Sequence, residues 1–82
     1  MKKQVINEKY NISGFQIKKK RKEMKMSQEY LAEKMKCAGL NITQKMISRI
    51  ETGDRIVTDY ELICFAEIFR ISVDELIKAK SK

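Results

Sequence analysis

Gln44, Lys45, Ser48 and Arg49 share the outward side of the segment Thr43–Gly53, while Ile47 and Ile50 form its apolar inner edge. An amide, a hydroxyl and two cations at helical spacing can supply the donors and acceptors that base edges in a duplex groove demand. Gln pairs with adenine through two hydrogen bonds, Arg and Lys pair with guanine, and a hydroxyl suits several partners. Taken alone, such a face is ordinary solvated helix surface. Its position gives it weight: it lies on the second of two short helices joined by a turn, with Ala32 where the two approach.

Groups suited to a phosphate surround this face. Gln28 opens the preceding helix, where free backbone N–H groups and the positive end of the helix dipole favour an anion. Lys25 lies just ahead of Ser27, Asn41 lies in the turn, Thr52 lies at the end of the outward face, and Arg55 follows the second helix. All are candidates for the nucleic-acid backbone.

Other chemistries find no support. The chain has no His, so the usual general base is missing, and no Ser-His, Cys-His or paired-carboxylate constellation stands out. Cys37 and Cys64 are isolated and cannot make a four-ligand zinc site. They read as reduced core thiols of a cytoplasmic protein, with exposure the alternative for Cys37, which falls in the turn between the two short helices. No metal, no cofactor and no enzymatic activity are expected, and no apolar run is long enough to span a membrane.

The elements that must hold these residues announce themselves at five places. Ser13, Ser27, Thr43, Thr58 and Ser72 are hydroxyl residues suited to a helix N-cap. Each sits inside an apolar pair spaced as a hydrophobic staple: Ile12/Ile17, Met26/Leu31, Ile42/Ile47, Val57/Leu62 and Ile71/Leu76. Ser13…Gln16, Thr58…Glu61 and Ser72…Glu75 also have the spacing of capping boxes. The spacing predicts five helices, at about 14–25, 28–36, 44–52, 59–69 and 73–79. Gly53 stands where a left-handed residue closes the third. The fold expected is all-α, a compact five-helix bundle, with an arm over 1–12, the domain over 13–79 and a tail over 80–82.

Two charges fall on inward positions. Arg21 lies on the stripe marked by Ile17 and Met24, and Glu51 lies beside Ile47 and Ile50. A buried charge without a partner is very costly, so Arg21 and Glu51 are expected to pair and tie the first helix to the third. The fourth helix is apolar around most of its girth. Leu62, Phe65, Ala66 and Phe69 form one face, with Ile63, Cys64 and Ile68 off it. It is either central in the bundle or partly in an interface.

Charge agrees with a polyanion partner. The 82 residues carry a formal +7, unevenly spread. Residues 1–55 hold 14 Lys/Arg and 6 Asp/Glu, and the remainder 4 and 5. A basic front with a near-neutral back suits a one-sided polyanion binder. The run Lys18–Lys22 is the solvent face of an amphipathic helix that adds long-range attraction.

Together, Ile17…Arg21, Met26-Ser27-Gln28-Glu29-Tyr30-Leu31-Ala32, Ile47-Ser48-Arg49-Ile50-Glu51-Thr52-Gly53 and Ile71-Ser72-Val73-Asp74-Glu75-Leu76 resemble the Cro- and phage-repressor-like helix-turn-helix family, also called the xenobiotic-response-element type. The resemblance implies a lambda-repressor-like bundle, with the second helix across the DNA backbone and the third in the major groove. It implies a double-stranded DNA operator as partner, a homodimer, and a role as a small transcriptional regulator, usually a repressor. It makes Gln28 a backbone contact that also steadies Gln44, makes Gln44, Lys45 and Arg49 base readers with Thr43 and Ser48 nearby, and makes Arg21–Glu51 a buried ion pair. Some relatives are antitoxins, so a protein partner bound through the fourth and fifth helices is the alternative. One departure stands out: Lys36-Cys37-Ala38-Gly39-Leu40-Asn41-Ile42 is several residues longer than the family's tight turn.

Overall fold

The computed structural model describes residues 10–78, which form five helices: α1 (Gly14–Glu23), α2 (Gln28–Cys37), α3 (Gln44–Thr52), α4 (Asp59–Phe69) and α5 (Val73–Ile77). Residues 1–9 of the expected arm, Ala79 and the expected tail lie outside the described residues.

Four of the five helix starts work as their spacing predicts. The hydroxyls of Ser27, Thr43, Thr58 and Ser72 accept from the backbone N–H of Tyr30, Met46, Glu61 and Glu75. Each removes one of the orphan donors of a first turn. Thr58 and Glu61 complete a reciprocal box, with the Thr58 N–H donating to Glu61 Oε1. At Ser72 only the forward bond forms. Thr43 has a reciprocal partner that its spacing did not suggest, the Met46 sulfur.

The start of α1 departs from expectation. Ser13 is buried in a helical conformation and its side chain caps nothing. Asn11 does the work instead: its Oδ1 accepts from the Gly14 N–H at 2.7 Å. Ile12 is half exposed, so no staple closes there.

One turn geometry ends α1 to α4. In each case a residue with positive φ donates three residues back, and its successor donates five residues back. The pairs are Lys25/Met26, Gly39/Leu40, Gly53/Asp54 and Arg70/Ile71. These are Schellman turns, which satisfy carbonyls at the helix end. Met26, Leu40 and Ile71 then pack against the core. Gly39 and Gly53 adopt positive φ without penalty, whereas Lys25 and Arg70, both at φ 59°, carry a Cβ that disfavours it.

The core takes one stripe from each helix. Ile17, Leu31, Met35, Ile47, Ile50, Phe65 and Leu76 are fully buried. At about 1.5–3 kcal/mol for each large apolar side chain, these contacts outweigh the local propensity of such short helices. The five-residue α5 is too short to stand alone and is held through Leu76 against α1 and α4. Within α4, Phe65 and Phe69 stack with ring centroids 6.3 Å apart.

Three inward placements need correcting. Met24 is exposed, because α1 stops at Glu23 and the chain turns away before Met24 can join the stripe. Cys37 is exposed at the last position of α2, so only Cys64 is a core thiol. In α4, Leu62 and Ile68 are partly buried while Cys64 lies deeper than either. Ile63 and Phe15 remain about half exposed.

Candidate nucleic-acid interface

The main anchorage of α3 is on its buried side. Ile47 and Ile50 have no exposed surface, and the helix packs on both α1 and α2. Glu51, whose side chain is 2% exposed, receives Arg21 through two bonds, Nε to Oε2 at 2.6 Å and Nη2 to Oε1 at 3.1 Å. Arg21 also donates from Nη1 to the Met26 carbonyl at 2.7 Å, which ties the ion pair to the α1–α2 turn. The pair is therefore bidentate, and each of its three guanidinium nitrogens and two carboxylate oxygens has a partner, which helps a buried charge pair to be tolerated.

From Glu51 the bonding continues outward. Gln28 Nε2 donates to Glu51 Oε1 at 3.0 Å, and Gln44 Nε2 donates to Gln28 Oε1 at 2.6 Å. The first residue of α2 is thus joined to the first residue of α3. Lys45 and Arg49 are exposed, Ser48 is partly exposed, and all three lie on the same helix as Gln44. Thr43 is exposed beside them, its hydroxyl oxygen engaged by Met46.

The surrounding polar groups are less uniform. Thr43, Lys45, Met46, Arg49, Asp54 and Arg55 line an open cleft along this side of α3. Arg55 is bound to Glu61 by two bonds, at 2.9 and 3.1 Å, and also donates to the Ile56 carbonyl. Its guanidinium is thus anchored at the cleft edge before any ligand arrives. The Thr52 hydroxyl lies within donating distance of Asp54 Oδ2 and of the Arg49 carbonyl. Asn41 is exposed in the long turn, and Lys25 is exposed in the left-handed turn ahead of α2.

Burial alone would raise the Glu61 pKa. Hydrogen bonds from the Arg55 guanidinium, the Thr58 backbone and the Thr58 hydroxyl, with the Arg55 charge, leave it below the usual value. Among the described residues, no group of three or more His, Cys, Asp or Glu could hold a metal ion.

Three positioning residues escaped the sequence reading. Asn11 donates from Nδ2 to the carbonyls of Ile50 and Arg55, at 3.1 and 2.7 Å, and so clamps the end of α3. The Tyr10 N–H donates to the Gly53 carbonyl at 2.8 Å. Both belong to the segment expected to be an arm. Gly14 lets α1 approach α3: a Cβ there would meet the Ile50 carbonyl oxygen at 2.1 Å. The signal available was Asn-x-x-Gly, an Asx-type turn leading into a helix.

A helix-turn-helix family model matches residues 17–76. That span runs from the first core residue of α1 to the last of α5. The chain belongs to this helix-turn-helix family. Its five-helix fold is similar to the crystal structure of the DNA-binding domain of BldD, with a TM-score of 0.69 and 25% sequence identity, over 89% of this chain and 99% of that one. No curated protein matches the sequence. The fold is lambda-repressor-like and corresponds to a non-catalytic helix-turn-helix domain. Among the described residues, no helix is long and apolar enough to cross a membrane.

Proposed function

We propose that this helix-turn-helix domain is a sequence-specific binder of double-stranded DNA and acts as a small cytoplasmic transcriptional regulator of the Cro- and phage-repressor-like type. The observation that carries the reading is the anchored α3. Its apolar edge is fully buried, Gln44 is held by Gln28, and Lys45 and Arg49 are exposed beside it. A helix presented so rigidly gives base-edge groups a defined register.

In this reading α3 enters the major groove, and Gln44, Lys45, Ser48 and Arg49 meet base edges. Gln28, Thr43, Asn41, Thr52, Arg55 and Lys25 meet the sugar-phosphate backbone, which supplies salt-sensitive affinity without sequence information. Arg55 keeps its bonds to Glu61 and serves as a fixed cation there. A homodimer on an inverted operator, acting as a repressor, is the form proposed.

A second reading is a protein-interaction module, of the antitoxin kind, that binds a partner through α4 and α5. It is favoured by Tyr60, Ile63 and Ile77, apolar side chains exposed on these helices. The two roles are compatible.

Selection from a random pool of double-stranded DNA at near-physiological salt tests the proposal. Two inverted half-sites about one helical turn apart are the expected product. Weak, salt-sensitive binding to every sequence with no enrichment would overturn it.

A further inference from the structure

Glu51 stands at the inner end of a hydrogen-bond chain whose outer end is Gln44. The chemistry of its members leaves one direction for it. Arg21 can only donate and an ionised Glu51 can only accept. Gln28, at 3.0 Å from Glu51, must therefore turn its NH2 inward and its oxygen outward. That oxygen accepts at 2.6 Å from Gln44, which must turn its own NH2 toward Gln28. An amide is ordinarily free to flip end for end. Here the carboxylate at one end removes that freedom from both glutamines.

We propose that Glu51 is a specificity-positioning residue: acting through Gln28, it fixes which way the Gln44 amide faces. When Gln44 gives Gln28 the amide hydrogen that lies trans to its own oxygen, Oε1 and the cis hydrogen are left side by side for a base edge. One acceptor beside one donor is the complement of adenine, whose edge offers the N6 amino group and N7. Guanine offers two acceptors, O6 and N7, and would set its O6 against Gln44 Oε1. The buried ion pair therefore biases base choice at one operator position without touching DNA. This inference rests on the DNA-binding reading above.

The test compares base preference at the position that Gln44 reads, located as the one whose preference Gln44→Ala erases. Wild type should favour adenine over guanine there by about tenfold. Two variants change the chain differently. Arg21→Met with Glu51→Leu replaces the whole ion pair by apolar groups, an exchange that buried pairs commonly tolerate. It leaves Gln28 free to flip, and the adenine preference should fall toward parity. Gln28→Lys places a donor between Glu51 and Gln44, so Gln44 must turn its oxygen inward and present its NH2. The preference should then swing to guanine.

Preferences at the other operator positions, measured in the same selections, separate orientation from stability, since a merely structural loss lowers them all together. Should the double variant not melt cooperatively, Gln28→Lys decides. Adenine preference retained in a folded double variant, or in Gln28→Lys, overturns the role of Glu51. Wild type preferring a base other than adenine at this position also overturns it. Failure of wild type to enrich any sequence would instead sink the DNA-binding reading itself.

Discussion

Asn11 Nδ2 lies 3.1 Å from the carbonyl oxygen of Ile50, so a residue ahead of the first helix is bonded to the last turn of the third. The same side chain caps α1 through Gly14 and reaches the Arg55 carbonyl. Asn11→Ala removes all three bonds and leaves a part-buried α1 start uncapped. A loss of about 2–3 kcal/mol is expected, at roughly 1 kcal/mol for each bond. Urea unfolding checks this; a loss under 0.5 kcal/mol, the scale of an ordinary surface change, would show that the clamp is dispensable.

Gly14→Ala should also destabilise, although alanine is the better helix former. A helix-interior Gly→Ala exchange gains up to about 1 kcal/mol. Against it stands a methyl 2.1 Å from a backbone oxygen, which only a shift of α1 from α3 can relieve. Such overpacking costs about 1–3 kcal/mol, so the clash wins. A raised melting temperature would refute the close approach.

Arg49 and Lys25 should fail in different ways. Arg49→Ala is expected to cost about 1–3 kcal/mol at one base position and relax specificity there. Lys25→Gly should lower affinity equally on all sequences and reduce the salt slope by about 0.9. It should also stabilise the fold by about 1 kcal/mol, since Lys25 occupies a left-handed conformation at φ 59°. Binding titrations over a salt series separate the two; an equal loss on every sequence would make Arg49 a phosphate contact.

Glu61 should make stability fall in acid. Its folded pKa is lowered despite burial, through Arg55 and Thr58. The contribution is present above the unfolded glutamate value and is lost as pH drops through the folded one. Melting temperature should therefore decline across that acidic window, and Glu61→Gln should flatten the decline. An unchanged pH profile in the variant would count against this origin.

Only one thiol should react in the native protein. Cys37 is exposed, whereas Cys64 is buried and its pKa is raised, first by burial and then by the Glu67 charge. A thiol reagent should modify one equivalent rapidly and the second only on unfolding. Two equal rapid phases would show that α4 opens readily.

Much of the helix plan was readable because its signals are local. A hydroxyl and an apolar pair around one helix start lie within six residues, so Thr58 announces α4 without help from the rest of the chain. Ser13 has the same spacing and is no cap, because Asn11 offers a better acceptor held by bonds to α3. Spacing cannot distinguish the two, since what anchors Asn11 lies 39 residues away.

Composition and spacing set the helical class, the order of the helices, the polar face of α3 and the need of Arg21 for a countercharge. Each follows from periodicity or from the cost of an unpaired buried charge, which are properties of a short stretch. Tertiary packing settled what depends on residues far apart. It placed Gln28 between Glu51 and Gln44, bound Arg55 to Glu61, and brought α1 against the Ile50 carbonyl at Gly14. The physical reason is that directed bonds act over about 3 Å, and only the folded chain brings these partners that close.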